Sequence, residues 1–290
     1  MSFSSEYAEL GFCHLKSVFT EDDMEYWRQH SREQIRQNVA ELVPEHVAER
    51  LGKSPFSEDE KLYWSALPAL QNAHKLITDL PEILQTKLLK QALIDVIGKD
   101  IKFIQSLYFV KSPQSAGVNW HQDEYYLPTR DKSLTGVWVA VDRADAENGA
   151  LQLVPKSHQG GTLAQMQVQS NQRLGLQAPN VDCVVMPTLE IGDVLLFNGY
   201  TWHASDRNCS NERSRDSIVF HCMNAHSLFP LRPGDDFNGK RRYADDFRDC
   251  IMVSGEDPYA FKGMEDLLRP FIQKPDSPLY LQAMEEQKID

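Results

Sequence analysis

Several features of secreted and membrane-bound proteins are missing from the sequence. Its five cysteines are scattered over 290 residues and include no CxxC pair, a usage typical of reduced thiols rather than of a disulfide framework. No apolar run approaches the length of a membrane span. The N-terminus has no basic segment followed by an apolar stretch, as a secretory signal has. We therefore expect a cytoplasmic protein without a membrane partner.

Positive charge is also scarce. Thirty lysines and arginines stand against 42 aspartates and glutamates, which gives a formal net charge of -12 and a pI near 5.2. Binding to a nucleic-acid backbone needs a clustered basic surface. The short run Lys240-Arg241-Arg242 lies between acidic stretches and is typical of a solvated loop. We therefore expect no nucleic-acid partner.

The signature motifs of several enzyme classes are absent as well. The sequence contains no GxSxG, GxGxxG, Walker A or HExxH pattern, so hydrolase, nucleotide-binding and zincin functions lack support. Internal repeats and low-complexity segments are also missing. Apolar residues make up 41% of the chain, which is enough for a substantial core.

The first hundred residues are predicted to form a mainly helical layer. Thr20 and Asp23 have the spacing of a capping box at a helix start, and Gly98 is placed to end a helix. Helices are predicted over Met24–Leu42, Ala66–Thr78 and Glu82–Ile97, and a short strand over Gly11–Leu15.

Residues from about 101 to 224 show the alternating period of strands. The predicted strands are Ile101–Val110, Thr135–Val141, Ala150–Val154, Cys183–Pro187, Val194–Phe197 and Ser217–Met223. Many short strands separated by turn sequences favour a sandwich or barrel. The polar, glutamine-rich segment Gly160–Asp182 has the length of a lid or loop. Residues 225–290 form a C-terminal extension with a helix expected over Gly263–Ile272, and we expect the whole chain, 1–290, to be one domain.

Two histidines and an aspartate have the pattern of a metal site. His121 and Asp123 are two residues apart, His203 lies 80 residues after Asp123, and Arg215 follows His203 by 12 residues. Residues i and i+2 of an extended strand point to the same side. Two histidines and one carboxylate can occupy one face of Fe(II), leaving positions for water, O2 and a chelating cosubstrate. The alternative is that these are ordinary histidines, since an HxD pair alone is common by chance.

The order of several motifs resembles the phytanoyl-CoA dioxygenase family over roughly residues 7–224. The motifs are Tyr7–Phe12, Trp120–Asp123, Trp138, Glu147–Leu151, Val154–His158, Gly192–Phe197, His203 and Arg215. The resemblance implies a mainly β protein with flanking helices around a double-stranded β-helix (jelly-roll, cupin-like) core. It also implies Fe(II), 2-oxoglutarate and O2, with ascorbate as an activator.

The resemblance assigns roles to individual residues. His121, Asp123 and His203 resemble the iron ligands, and Arg215 resembles the arginine that pairs with the C5 carboxylate of 2-oxoglutarate. The remaining residues of the cosubstrate site are implied to be Ser205, Trp138 and Gln105.

Residues of the substrate pocket are predicted from their position next to these motifs. Trp120 and Tyr125 flank the predicted ligands, and Arg173 lies in the segment with a lid's length. The alternative for the aromatic residues is an ordinary core position. His221 shares strand parity with Arg215 and is interpreted as a hydrogen-bonded strand histidine.

The resemblance predicts a dioxygenase that hydroxylates a C–H bond of a small-molecule metabolite and releases succinate and CO2. Halogenases of this superfamily replace the carboxylate ligand with a small residue, so the presence of Asp123 favours hydroxylation. Desaturation, cyclisation, halogenation and metal binding without turnover stay open, as does the choice between a monomer and a homodimer. The substrate itself is not specified by any motif.

Overall fold

The structure is a computed structural model. It describes residues 2–273 except 162, 166, 169–173, 178–180, 229–235, 238–239, 242–249, 265 and 267. The predicted substrate residue Arg173 and most of the predicted C-terminal extension therefore lie outside the described residues. All five cysteines are free thiols. In the described part of the chain, no helix is long and apolar enough to cross a bilayer.

Six α-helices lie in the first hundred residues. They are α1 (Phe3–Leu10), α2 (Glu21–Gln37), α3 (Val39–Leu42), α4 (Glu45–Leu51), α5 (Glu60–Ser65) and α6 (Lys87–Ile97). The capping box predicted from Thr20 and Asp23 is present at the start of α2. The predicted helix Met24–Leu42 is interrupted at Asn38, whose φ of -115° departs from helical geometry.

Fifteen strands are present among the described residues. They are β1 (Phe12–Leu15), β2 (Ala69–Gln71), β3 (Ile101–Lys111), β4 (Val118–His121), β5 (Thr135–Ala140), β6 (Leu151–Leu153), β7 (Gln167–Val168), β8 (Leu174–Gly175), β9 (Val194–Asn198), β10 (His203–Ser205), β11 (Arg215–Asn224), β12 (Asp236–Phe237), β13 (Lys240–Arg241), β14 (Ile251–Ser254) and β15 (Phe271–Ile272).

Two antiparallel sheets frame the interior. The major sheet has the order β1-β9-β5-β11-β3-β2-β15, with β14 pairing to β3, and the minor sheet has the order β4-β10-β6. The expected mainly β fold with flanking helices is confirmed, and its two sheets fit a jelly-roll core. β11 is buried along almost its whole length because the helices cover one face of the major sheet and the minor sheet lies towards the other.

Side chains of β11 alternate between the two faces of the major sheet. Ile218, Phe220 and Cys222 pack into the core between the sheet and the helices. Val219 packs with Trp138 in a second apolar cluster on the inner face. The period of two predicted from the sequence therefore separates a helix-covered outer face from an inner face that borders a cavity.

Four further predicted elements differ from the structure. The helix predicted over Ala66–Thr78 is wrong: β2 pairs with β3 there, and a 3₁₀ helix over Ala73–Lys75 follows Asn72, whose φ is +53°. The left-handed backbone at Asn72 cannot continue a helix, and strand pairing overrides the local helical pattern.

The other differences concern shorter segments. The helix predicted over Glu82–Ile97 begins later, as α6, after a 3₁₀ helix over Leu80–Gln85. The strand predicted over Cys183–Pro187 is reduced to one bridge between Val185 and Leu153. The helix predicted over Gly263–Ile272 is wrong, because its end forms β15 against β2.

Candidate metal centre and cosubstrate pocket

A cavity of about 660 Å³ opens between the two sheets. The minor sheet brings two histidines to its wall, since β4 and β10 pair antiparallel with His121 directly opposite His203. Asp123 follows as the first residue of a 3₁₀ helix rather than as part of the strand. Gln122 keeps extended φ and ψ of -125° and 130°, so His121 and Asp123 still point to the same side.

The three side chains offer one compact set of ligand atoms. Asp123 Oδ1 lies 3.4 Å from His121 Nε2 and 3.5 Å from His203 Nε2, and the ligand atoms of all three residues lie within 4.8 Å of one another. Adjacent ligands that are each about 2.1 Å from one ion are separated by roughly 3 Å. The donor set of two imidazoles and one carboxylate suits Fe(II) with open positions.

Backbone carbonyls orient both imidazoles. His121 Nδ1 lies 2.7 Å from the Asn119 oxygen, and His203 Nδ1 lies 3.0 Å from the Thr201 oxygen. A carbonyl only accepts hydrogen bonds, so each Nδ1 must carry a proton and donate it. Each Nε2 then keeps a lone pair directed at the cavity, which is the arrangement of metal-binding histidines.

The protonation of two of the three groups suits a metal. Burial lowers the pKa of His203 to about 4, and the neighbouring His121 contributes to this shift. Burial acts to raise the pKa of Asp123, but the surrounding imidazoles and their hydrogen bonds hold it well below its usual range. His203 is therefore neutral and Asp123 ionised near pH 7, as metal ligation requires. Burial acts to lower the pKa of His121, but its hydrogen bond to Asp123 raises it overall, so a metal ion would compete with a proton for this imidazole.

His221 is hydrogen-bonded to the second carboxylate oxygen of Asp123. Its Nε2 lies 3.1 Å from Asp123 Oδ2, and both side chains are buried. The interpretation of His221 as a hydrogen-bonded strand histidine is confirmed. Because Oδ2 is engaged by His221, Oδ1 alone faces the two ligand imidazoles.

Arg215 is a buried cation without a counter-ion. It begins β11, is 3% exposed, and has no ion pair with any other residue that the structure describes. Its Nη1 donates to Ser217 Oγ at 2.8 Å, while Nε has no hydrogen-bond partner among the described residues. Its guanidinium carbon lies 5.2 Å from the centre of the Trp138 ring. Burial lowers the pKa of Arg215 to about 10. An unpaired buried charge is costly, so this position fits an anionic ligand.

A second cation in this pocket was missed by the sequence reasoning. Lys111 Nζ donates to Ser205 Oγ at 2.9 Å and to the carbonyls of Gly149 and Asp206. Lys111 pairs with Arg215 in the register of β3 and β11. Lys111 is an even number of residues from Gln105 along β3, so the alternation of the strand could have placed both side chains on the same face.

Arg213 is engaged elsewhere. It lies in the loop before β11 and forms hydrogen bonds of 3.0 Å to Asp145 and 2.7 Å to Glu147. Of the two arginines with matching parity, Arg215 alone lines the cavity.

The predicted pocket residues divide into two groups. Trp138 and Gln105 line the cavity with Ser205, and Gln105 lies opposite His221 in the register of β3 and β11. Trp120 and Tyr125 are not among the described lining residues. The other three residues of β4, Val118, Asn119 and His121, do line the cavity.

The sequence of this chain matches a known protein family. The family model described as Phytanoyl-CoA dioxygenase (PhyH) matches residues 7–217. The chain belongs to the phytanoyl-CoA dioxygenase family. It is thereby a member of the Fe/2-oxoglutarate-dependent oxygenase superfamily.

Relatives agree with this assignment. Phytanoyl-CoA dioxygenase domain-containing protein 1 of Bos taurus is 34% identical over 145 residues, covering 47% of this chain and 50% of the relative. The chain thus matches about half the length of this relative. A probable alpha-ketoglutarate-dependent hypophosphite dioxygenase of Stutzerimonas stutzeri is 24% identical over 266 residues, covering 86% and 84%.

A solved structure supports the fold. The epimerase SnoN, in complex with Fe3+, alpha ketoglutarate and nogalamycin RO, has a TM-score of 0.64 at 14% identity and covers 87% of this chain and 97% of its own. The double-stranded β-helix fold expected for this family member is therefore confirmed.

Proposed function

We propose that this phytanoyl-CoA dioxygenase family member hydroxylates a C–H bond of a small-molecule metabolite, using Fe(II), 2-oxoglutarate and O2 and releasing succinate and CO2. The observation that carries the proposal is the clustered set of His121, Asp123 and His203 in one cavity with Arg215, a buried cation without a counter-ion among the described residues. A protein that only bound metal would have no need for the second feature.

His121, Asp123 and His203 would hold the iron through Nε2, Oδ1 and Nε2. Iron with 2-oxoglutarate supplies the oxidising chemistry, which belongs to the cofactor and cosubstrate rather than to the protein. The chain contributes ligand orientation: the carbonyls of Asn119 and Thr201 set the two imidazoles. His221 holds the carboxylate of Asp123.

Arg215 would bind the C5 carboxylate of 2-oxoglutarate. Its guanidinium can hold a carboxylate bidentately, and the carboxylate would supply the counter-charge that Arg215 lacks. Because Ser205 Oγ accepts from Lys111, the hydroxyl proton of Ser205 is free to donate to the same carboxylate. Trp138, against the guanidinium, would close this end of the pocket.

Apolar side chains would keep the reaction dry. Leu107 and Phe109 line the cavity on the same face of β3 as Gln105. Excluding water protects reactive species from side reactions, and hydrogen abstraction from a C–H bond needs no acidic or basic side chain. Desaturation or cyclisation would use the same residues, so product analysis distinguishes these outcomes from hydroxylation.

The test is consumption of 2-oxoglutarate and formation of succinate in the presence of Fe(II), O2 and ascorbate, screened over a library of small metabolites. We expect Fe(II)-dependent succinate release that a substrate stimulates. The product should be about 16 mass units heavier than the substrate, the mass of one oxygen atom. His203→Ala is the control and should remove both metal binding and succinate formation. A wild-type protein that binds metal and 2-oxoglutarate but never forms succinate would contradict the proposal.

A further inference from the structure

The cavity wall beyond the metal centre carries three glutamines on neighbouring strands. Gln105 lies on β3, Gln71 ends β2, and Gln273 directly follows β15. All three line the cavity. None of their side chains has a hydrogen bond to another residue in the part of the chain that the structure describes.

The three glutamines form a row that begins next to the metal centre. Gln105 lies directly opposite His221, the residue that contacts Asp123. Gln71 lies opposite Leu107, two residues along β3 from Gln105. Diagonal neighbours of this kind are roughly 7–8 Å apart, within reach of long side chains. A ligand near the iron could therefore contact Gln105 and Gln71 together.

Gln71 is the most informative member of the row. Its Oε1 is buried and has no hydrogen-bond partner among the residues that the structure describes. Leaving a buried acceptor unsatisfied costs about 1–3 kcal/mol. The side chain borders the cavity, so an N–H or O–H group of a bound molecule is the partner that would remove this penalty.

The lysine and arginine of the described wall lie at the other end. Among the described lining residues, the lysine and arginine are Lys111 and Arg215, which pair in register. The backbones of Lys111 and Gln105 are six residues apart along β3, or roughly 20 Å at the rise of a strand, and Lys111 Nζ is held by Ser205 Oγ at 2.9 Å. A phosphate or carboxylate placed at Gln105 would lie next to His221, which contacts the carboxylate of Asp123.

We infer that Gln71 and Gln105 recognise the substrate, and that the substrate is a small uncharged molecule that presents an N–H or O–H group on an apolar body. This inference rests on the proposed function, which places 2-oxoglutarate at Arg215. Leu107 and Phe109 beside the glutamines would contact the apolar body. The cavity of about 660 Å³ is in the range that holds one drug-sized ligand. Because 2-oxoglutarate is smaller than such a ligand, the cavity also has room for a small substrate.

The test uses three probes that share one alkyl chain: hexanamide, hexanoate and hexyl phosphate. Protein loaded with Zn(II) and 2-oxoglutarate is titrated with each probe, and binding is followed by saturation-transfer NMR. We expect hexanamide to bind about tenfold more tightly than either anion. Gln71→Leu should weaken hexanamide binding about five- to tenfold, the worth of one hydrogen bond, and leave the Kd for 2-oxoglutarate within about twofold.

Two control variants separate recognition from general disturbance. Gln71→Glu keeps the acceptor and should retain hexanamide binding. Gln37→Leu makes the same chemical change on α2 and should alter nothing. Tighter binding of hexanoate or hexyl phosphate, failure of hexanamide to bind, or a loss of 2-oxoglutarate affinity in Gln71→Leu would each overturn the inference. Failure of wild-type protein to bind 2-oxoglutarate at all would instead contradict the proposed function.

Discussion

The two faces of the major sheet differ in whether a buried charge is paired. On the outer face, Asp216 accepts from Arg32 of α2 at 2.8 and 2.9 Å and from the Tyr108 hydroxyl at 2.7 Å. On the inner face, the preceding residue, Arg215, has no ion pair with a described residue, and Gln71 Oε1 and His221 Nδ1 have no hydrogen-bond partner in the same part of the chain.

This difference separates structure from function within one strand. Buried polar groups are normally hydrogen-bonded, and the carboxylate of Asp216 on the outer face follows that rule, since it joins α2 to the sheet. The unsatisfied groups of the inner face border the cavity, where a ligand can supply their partners. Adjacent residues of β11 therefore have separable roles, and substitutions on the two faces should change different measurements.

The largest effect is expected at Arg215. Arg215→Ala should raise the Kd for 2-oxoglutarate by roughly a hundred- to several-thousand-fold, which corresponds to about 3–5 kcal/mol for a buried carboxylate that loses its guanidinium. Stability of the unliganded protein should hardly change, because the lost charge is unpaired. Titration calorimetry with Mn(II) in place of iron measures the Kd. Arg213→Ala is the matched control, and a larger effect there would move the anchor to Arg213.

A substitution on the outer face should lower stability and leave 2-oxoglutarate binding unchanged. Arg32→Met removes the guanidinium from Asp216, whose side chain is fully buried, and should lower the free energy of unfolding by about 3 kcal/mol. Urea unfolding measures this loss, and the Kd for 2-oxoglutarate of the folded protein should stay unchanged. Weakened 2-oxoglutarate binding without a loss of stability would refute the separation of the two faces.

A smaller effect is expected at His221, where the inner face meets the metal centre. His221→Leu removes the hydrogen bond to Asp123 Oδ2 and should weaken metal binding about 10- to 100-fold, as the loss of an outer partner does. His221→Gln retains a donor and should restore part of the affinity. Competition with a chromophoric chelator measures the metal Kd, and equal losses in both variants would indicate a packing defect instead.

The smallest effect is the pH dependence of stability that His74 contributes. This buried histidine is hydrogen-bonded to Ser106. Burial, with a contribution from Lys75, lowers the pKa of His74 from 6.5 to about 4. The unfolded chain then binds the proton more readily, so stability is complete above pH 6.5 and is lost as the pH falls towards 4. We expect a loss of about 1 kcal/mol between pH 7 and pH 5.5. The same measurement on His74→Phe should lack this contribution, and an unchanged pH slope in the variant would refute it.

Much of the site could be predicted from local sequence. The spacing of His121 and Asp123 specifies two side chains on one side of an extended segment, and the parity of β11 places Arg215 and His221 on the same face. These inferences depend only on backbone periods, which neighbouring residues determine. The capping box at Thr20 was predictable for the same reason.

The tertiary structure decided what depends on pairing between distant segments. His203 faces His121 because β10 aligns with β4, and Gln71 reaches the cavity because β2 joins β3 in a segment with a helical pattern. Lys111 meets Ser205 across 94 residues of sequence. The sequence by itself therefore determined the residue types and periods, whereas register and sheet order depend on long-range contacts whose energies outweigh local preference.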